Sequence, residues 1–190
     1  GNFECADDVV FTAPEATDDC SDVTVSIGSD EITPGGCPNK FTRIISYIAT
    51  DQCGNVSEPF IITINVNDIT APTSDPLPNI GPFQCYDDRP LANPDDVTGE
   101  ADNCGGLVTV TFIGDSPDPG CSGFVTRTYQ LADECNNTTI ITQQIEIKDD
   151  TAPTTNPLPD LGPFACAPDL PEPDVNIVQA VDNCGDPVTV

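Results

Sequence analysis

Apolar and polar positions alternate with a period of two wherever the chain is rich in Val, Ile, Thr and aromatic residues, and no stretch shows the 3.6-residue spacing of an amphipathic helix. The alternating segments are short and lie between clusters of Gly, Pro, Asp and Asn, the pattern of antiparallel strands joined by turns. Val108-Thr109-Val110-Thr111-Phe112, Phe124 to Leu131 and Ile140 to Ile147 are predicted as three such strands, with Val23 to Ile27, Phe41 to Ala49 and Ile61 to Val66 as their counterparts earlier in the chain. The proline-rich segment before Cys85 fits only an edge strand or an extended lead-in, because proline has no N–H to give to a ladder. The pattern predicts an all-β fold, best matched by a small immunoglobulin-like β-sandwich.

The counterparts belong to a tandem repeat. Thr70-Ala71-Pro72-Thr73, Pro76-Leu77-Pro78 and Gly81-Pro82-Phe83 with Cys85 recur 81 residues later as Thr151-Ala152-Pro153-Thr154, Pro157-Leu158-Pro159 and Gly162-Pro163-Phe164 with Cys166. Asn2-Phe3-Glu4-Cys5 marks the same boundary one repeat earlier, and Asp19-Cys20, Asn103-Cys104 and Asn183-Cys184 keep the register. A unit of this size is a folded module rather than a solenoid turn. The register divides the chain into residues 1–68, an immunoglobulin-like repeat lacking its first strand; 69–149, a complete repeat; and 150–190, the N-terminal part of a third. It therefore reads as a window on a longer array, the alternative being end modules completed by strand donation from neighbouring chains.

Charge narrows the partners. Thirty-two Asp and Glu against 5 Lys and Arg give a net charge of −27, which repels nucleic acid and anionic lipid and attracts multivalent cations. Val, Ile, Leu and Phe still number 46 of 190 residues, above the range of disordered chains, so the chain is expected to fold. No apolar run reaches 18 residues, which argues against membrane insertion. With no initiator Met and no signal peptide, it reads as a processed or internal piece of a secreted protein.

Ten cysteines without histidine or close cysteine pairs do not suit zinc and point to disulfides made in an oxidising compartment. Taking the end at which a repeat begins as its top, strand directions place Cys104 and Cys135 at the top and Cys85 and Cys121 at the bottom. Joining Cys121 to Cys135 would span a strand of about 26 Å, against the ~7 Å between Cα atoms that a disulfide permits. The expected pairs are Cys5–Cys37, Cys20–Cys53, Cys85–Cys121 and Cys104–Cys135, with partners for Cys166 and Cys184 outside the chain. Each bridge is expected to contribute roughly 3 to 4 kcal/mol on the loop-entropy model.

No triad or phosphate-cradling loop is present, and enzyme activity is not expected. The acids gathered at module ends are instead candidate calcium ligands, since hard cations take carboxylate and carbonyl oxygens on turns. Those proposed are Asp7, Asp8, Asp68, Asp87, Asp88, Asp115, Asp118, Asp149 and Asp150, with Asp30 and Glu31 also placed in an end loop; the same acids also suit Asx-turns. Arg43 and Arg127 occupy matching strand positions and are each expected to pair with a carboxylate on the sheet face. Asn55-Val56-Ser57, Asn136-Asn137-Thr138 and Asn137-Thr138-Thr139 fit the N-glycosylation pattern.

Asp-Asn-Cys-Gly at Asp102 and Asp182 followed by Val-Thr-Val, Arg-x-Tyr, Ala49 to Asn55 with Cys-Gly-Asn, and the Thr-Ala-Pro-Thr linker together resemble the HYR-like and immunoglobulin-like repeats of Bacteroidetes extracellular proteins. These include gliding and attachment adhesins exported by the type IX system. The chain departs from the pattern at Asn136-Asn137, within a turn. Asp150-Thr151-Ala152 looks like the O-glycosylation pattern of such proteins, with Thr151 as acceptor, and Asp68 and Asp149 before Thr-Ala-Pro resemble cadherin calcium linkers. The resemblance implies a structural or adhesive rod or filament on a bacterial cell surface, built with neighbouring repeats or identical chains and binding calcium. A module that binds glycans or another surface, or a spacer in a secreted enzyme, is the alternative.

Overall fold

The computed structural model describes residues 1–158, 160, 163, 165, 166, 171, 172, 174–185, 188 and 189. Much of the Gly162-Pro163-Phe164 lead-in, and Val190 at the end of the expected third-repeat strand, lie outside these residues. The strands are β1 (Asn2–Phe3), β2 (Val23–Cys37), β3 (Lys40–Asp51), β4 (Phe60–Asn67), β5 (Ile80–Phe83), β6 (Thr109–Asp115), β7 (Ser122–Ala132), β8 (Thr138–Lys148), β9 (Thr154–Thr155) and β10 (Ala180–Val181). The fold is all-β and sandwich-like. Two four-stranded sheets repeat one topology, β1-β4-β3-β2 and β5-β8-β7-β6. In each, the short strand before the first cysteine lies at the sheet edge, the place expected for the proline-rich segment before Cys85, and runs parallel to the last strand, β1 on β4 and β5 on β8.

The chain divides into two compact units. The first comprises Gly1–Leu77, Asn93–Ile113 and Tyr129–Ile141. Its core is Ile45, Tyr47, Ile64 and Val66, flanked by Phe3, Val9, Val25, Phe41 and Ile62. Ile45 and Tyr47 of β3 and Ile64 and Val66 of β4 are buried at alternate positions, and each such side chain contributes roughly 1.5 to 3 kcal/mol. Strand β2 runs further than its apolar pattern foretells, because a bulge between Ile27 and Ser29 lets pairing with β3 resume as far as Cys37. Asp30 and Glu31 therefore sit within a strand and not in an end loop. Asp30 takes both nitrogens of Arg43, Nε at 2.8 Å and Nη2 at 2.6 Å, the diagonal same-face pairing expected of that arginine.

The second unit comprises Pro78–Ala92, Gly114–Thr128 and Thr142–Val190. Val125, Ile145 and Ile147 form its core, with Ile80, Phe83 and Tyr86 packed on it. Gly81 has φ +108°, and a Cβ there would lie 2.5 Å from the Glu146 carbonyl oxygen, so only glycine lets β5 approach β8.

Proline-rich segments cover the sheet without a regular ladder, and their carbonyls need other donors. Side chains of β7 and β8 provide them. Arg127 Nη2 donates to Pro90 O at 2.8 Å and Gln143 Nε2 to Pro78 O at 3.0 Å in the second unit. Thr139 Oγ1 donates to Pro72 O at 2.6 Å and Tyr129 Oη to Asn93 O at 3.4 Å in the first.

Arg127 is only 2% exposed. Its Nε and Nη2 each lie 2.9 Å from the Asp115 carboxylate, which also accepts from Arg89 Nε at 3.0 Å. The Arg127 and Arg89 hydrogen bonds outweigh burial and hold the Asp115 carboxyl below the usual carboxylate range. Asp115 is thus committed to two guanidinium groups and is withdrawn as a calcium ligand, since a divalent cation beside them would meet two like charges.

Removing Arg127 leaves the buried Asp115 carboxylate with Arg89 as its remaining guanidinium partner and takes the donor from the Pro90 carbonyl. Arg127→Met is expected to cost about 3–5 kcal/mol in denaturant unfolding, and Arg43→Met far less because its pair is solvent-exposed. Because the Asp115 pKa is depressed, its contribution is present above the ordinary carboxylate value of 3.8 and is lost as pH falls through its lower folded value. Acid titration of the Arg127→Met variant should show a smaller loss over that range than the parent.

Candidate functional site

The second and fourth cysteines of each repeat are presented by one local device. In Asp18-Asp19-Cys20, Asp102-Asn103-Cys104 and Asp182-Asn183-Cys184, the aspartate carboxylate accepts the cysteine N–H at 3.0, 2.9 and 3.1 Å. Asp133 likewise accepts the Cys135 N–H at 2.8 Å and the Asn137 N–H at 2.8 Å, while Asp51 accepts the Asn55 N–H at 2.7 Å. Asp18, Asp102, Asp133 and Asp182 thus each close an Asx-turn onto the cysteine two residues on. Asn136, where the resemblance leads one to expect glycine, adopts φ +67° as Gly54 adopts φ +87°, so the departure changes the residue and keeps the turn.

These turns do not bridge within a repeat. The disulfides are Cys5–Cys104, Cys37–Cys135 and Cys85–Cys184, with Cα separations of 5.0, 5.2 and 5.1 Å. The expected pairs Cys5–Cys37, Cys20–Cys53, Cys85–Cys121 and Cys104–Cys135 are all replaced, and Cys184 has its partner inside the chain. Assigning Cys85 to a repeat's bottom and Cys104 and Cys135 to its top agrees with these bonds. The error was to close bonds along one end of one repeat, whereas the short linker brings the bottom of each repeat against the top of the next. Cys20, Cys53, Cys121 and Cys166 are free and exposed.

Each linker is secured beside its bridge. At the first junction the Asp68 N–H donates to Asn39 O at 2.9 Å, the Thr70 N–H to Asp68 Oδ1 at 3.2 Å, and Asn137 Nδ2 to Asp68 O at 3.3 Å. Glu4 accepts from Thr70 Oγ1 and, at 3.1 Å, from Asn103 Nδ2. The second junction repeats the plan: the Asp149 N–H donates to Cys121 O at 2.8 Å, the Thr151 N–H to Asp149 Oδ1 at 3.0 Å, and Thr151 Oγ1 to Gln84 Oε1 at 3.0 Å. Asn103 and Asn183 place their amide nitrogens 3.3–3.4 Å from both sulfurs of the adjoining bridge.

Acids converge at both junctions. Ligand atoms of Asp68, Asp102 and Cys104 lie within 4.8 Å of one another, as do those of Asp149, Asp182 and Cys184. Each sulfur is already in a disulfide, which leaves the carboxylates as the donors a hard cation would choose. Asp68 is only 6% exposed, and Asp102 Oδ1 is buried without a hydrogen-bond partner. Burial first, and then the charges of Asp102, Asp133 and Glu4, push the Asp68 carboxyl above its ordinary value.

Among the described residues the remaining calcium candidates do not by themselves form a group of three close enough to share one ion. Asp7 and Asp8 lie on a 3-10 turn at Ala6–Asp8. Asp88 accepts the Cys85 N–H, Asp118 the Gly120 N–H and Asp150 the Gln84 amide. Asp87 lines a concavity with Asp118, Cys121 and Asp149. Sequence reasoning missed Asp102, Asp133 and Glu4 as neighbours of Asp68, because the cross-repeat bridges that gather them were not foreseen. Of the glycosylation candidates, Asn137 is engaged by Asp133 and the Asp68 carbonyl, and the Thr151 hydroxyl by Gln84.

Residues 74–147 match the HYR-like domain with 4 cysteines, an extracellular domain class of the cell-surface and adhesion type. No curated protein matches the chain.

Without divalent cations, ionised Asp68 is a cost to the fold. Its folded pKa is raised, so its favourable contribution belongs to low pH and is lost as pH rises through the folded value. Asp68→Asn keeps the oxygen that accepts from Thr70 and removes the charge facing three carboxylates, at a few tenths of a kcal/mol each. In chelator at neutral pH its melting temperature should exceed the parent's by about 2–4 °C, as read by calorimetry.

Proposed function

We propose that the chain is a non-catalytic, structural segment of a bacterial extracellular rod or filament in which tandem modules are joined covalently at each junction. The observation that supports this most directly is that every disulfide among the described residues joins consecutive repeats. A peptide linker alone leaves two rotatable bonds per residue. Adding two bridges to it gives three covalent attachments and removes the hinge. On the loop-entropy model a bridge closing about 100 residues contributes roughly 4 to 5 kcal/mol. The partners in this reading are neighbouring repeats, and the sheet faces and end loops left exposed are where surface adhesion would act.

A second element is a calcium ion beside Asp68 and Asp102, favoured by the buried, unpartnered Asp102 Oδ1. The cation would offset the repulsion among Asp68, Asp102, Asp133 and Glu4.

Electron microscopy of the native assembly is expected to show continuous fibres with an axial repeat of about 40 Å, the span of an 11-residue strand plus a short linker. Reductant should make those fibres bend at that spacing, and isolated globular particles would refute the reading. Calcium should raise the melting temperature of the parent and leave Asp68→Asn unchanged. A parent melting temperature indifferent to both calcium and chelator removes the ion.

A further inference from the structure

The three bonds follow one rule. The first cysteine of a repeat joins the second cysteine of the next, as in Cys5–Cys104 and Cys85–Cys184, each separated by 99 residues. The third joins the fourth of the next, as in Cys37–Cys135, separated by 98. Applied along the chain, the rule leaves four cysteines without a partner among residues 1–190: Cys20 and Cys53 as second and fourth of the first repeat, Cys121 as third of the second, and Cys166 as first of the third. These are the four free, exposed thiols.

The surroundings of Cys20 and Cys53 match those of their bonded equivalents. Cys20 stands in an Asp18 turn built like the Asp102 turn of Cys104, with N–H to carboxylate distances of 3.0 and 2.9 Å. Cys53 follows Asp51, whose two oxygens take the Asn55 N–H and Nδ2, each at 2.7 Å, as Asp133 takes both nitrogens of Asn137 beside the bonded Cys135. Cys121 lines the concavity formed with Asp118, Asp149 and the Cys85–Cys184 bridge. At the first junction the corresponding cysteine, Cys37, is bonded to the Asp133–Asn137 turn.

We propose that these thiols are the unfilled halves of further bridges to modules of the same four-cysteine class. Cys20 and Cys53 receive the first and third cysteines of a preceding module, while Cys121 and Cys166 reach the fourth and second cysteines of modules that follow. This deepens the filament reading by naming its covalent partner, and it rests on that reading. Each bridge forms when two thiols lose two protons and two electrons to make one S–S bond. The electrons pass by thiol–disulfide exchange to an oxidised disulfide carrier, which leaves as the dithiol.

The test is peptide mapping by mass spectrometry of the native protein, alkylated before digestion and kept unreduced. Peptides carrying Cys20, Cys53, Cys121 and Cys166 are expected to be cross-linked to cysteine peptides of other modules, in the order the rule gives. A non-reducing gel then separates the two sources: single-chain mobility places the partner module in the same chain, and a reductant-sensitive ladder places it in another copy. Recovery of the four as alkylated thiols, or of Cys20 linked to Cys53, overturns the proposal. If Cys5–Cys104, Cys37–Cys135 and Cys85–Cys184 are recovered while these four are alkylated, the proposal fails and the cross-linked filament stands; if those three are also missing, the filament reading itself fails.

Discussion

A single hydrogen bond, from a cysteine N–H to the carboxylate of the aspartate two residues before it, underlies the arrangement at the junctions. It closes a turn that a free chain would sample only part of the time and presents the sulfur at the end of its repeat. Asp102 and Asp182 do this for two bridges and Asp133 for a third. Because the turns are built within one repeat, the cost of ordering them is met locally, and the bridge then needs only the facing cysteine of the repeat before.

The same use of carboxylates gives part of the −27 charge a structural role. Asp18, Asp51, Asp102, Asp133 and Asp182 accept backbone N–H groups, and Asp30 and Asp115 pair with arginine. Asp68 stands apart. It lies among Asp102, Asp133 and Glu4, and cross-linking the repeats is what brings those groups together.

The strands were legible because a two-residue apolar period with branched residues admits few alternatives, and β3, β4, β7 and β8 lie within one or two residues of the predicted segments. The arginine pairs were legible for a different reason: so few cations among so many acids leave little choice. The continuation of β2 beyond Ile27 was not, since its bulge and the polar residues beyond it carry no alternation. Nor was the covering of the sheet by proline-rich segments, which depends on donors such as Gln143 and Thr139 whose roles appear only in three dimensions. The disulfide pairing failed at an identifiable step. Strand direction assigns each cysteine to an end of its repeat but says nothing of what lies beyond that end.

The 98- and 99-residue spacing of the bridges has a further effect on how the molecule withstands damage. A protease cut anywhere between Cys37 and Cys104 leaves the two fragments tied by both Cys5–Cys104 and Cys37–Cys135. The linker between the first two repeats lies inside that interval, with Ile69 and Thr70 exposed on it. A strand of such modules therefore loses no continuity at its first broken peptide bond, and parting it requires cleavage and reduction at the same junction.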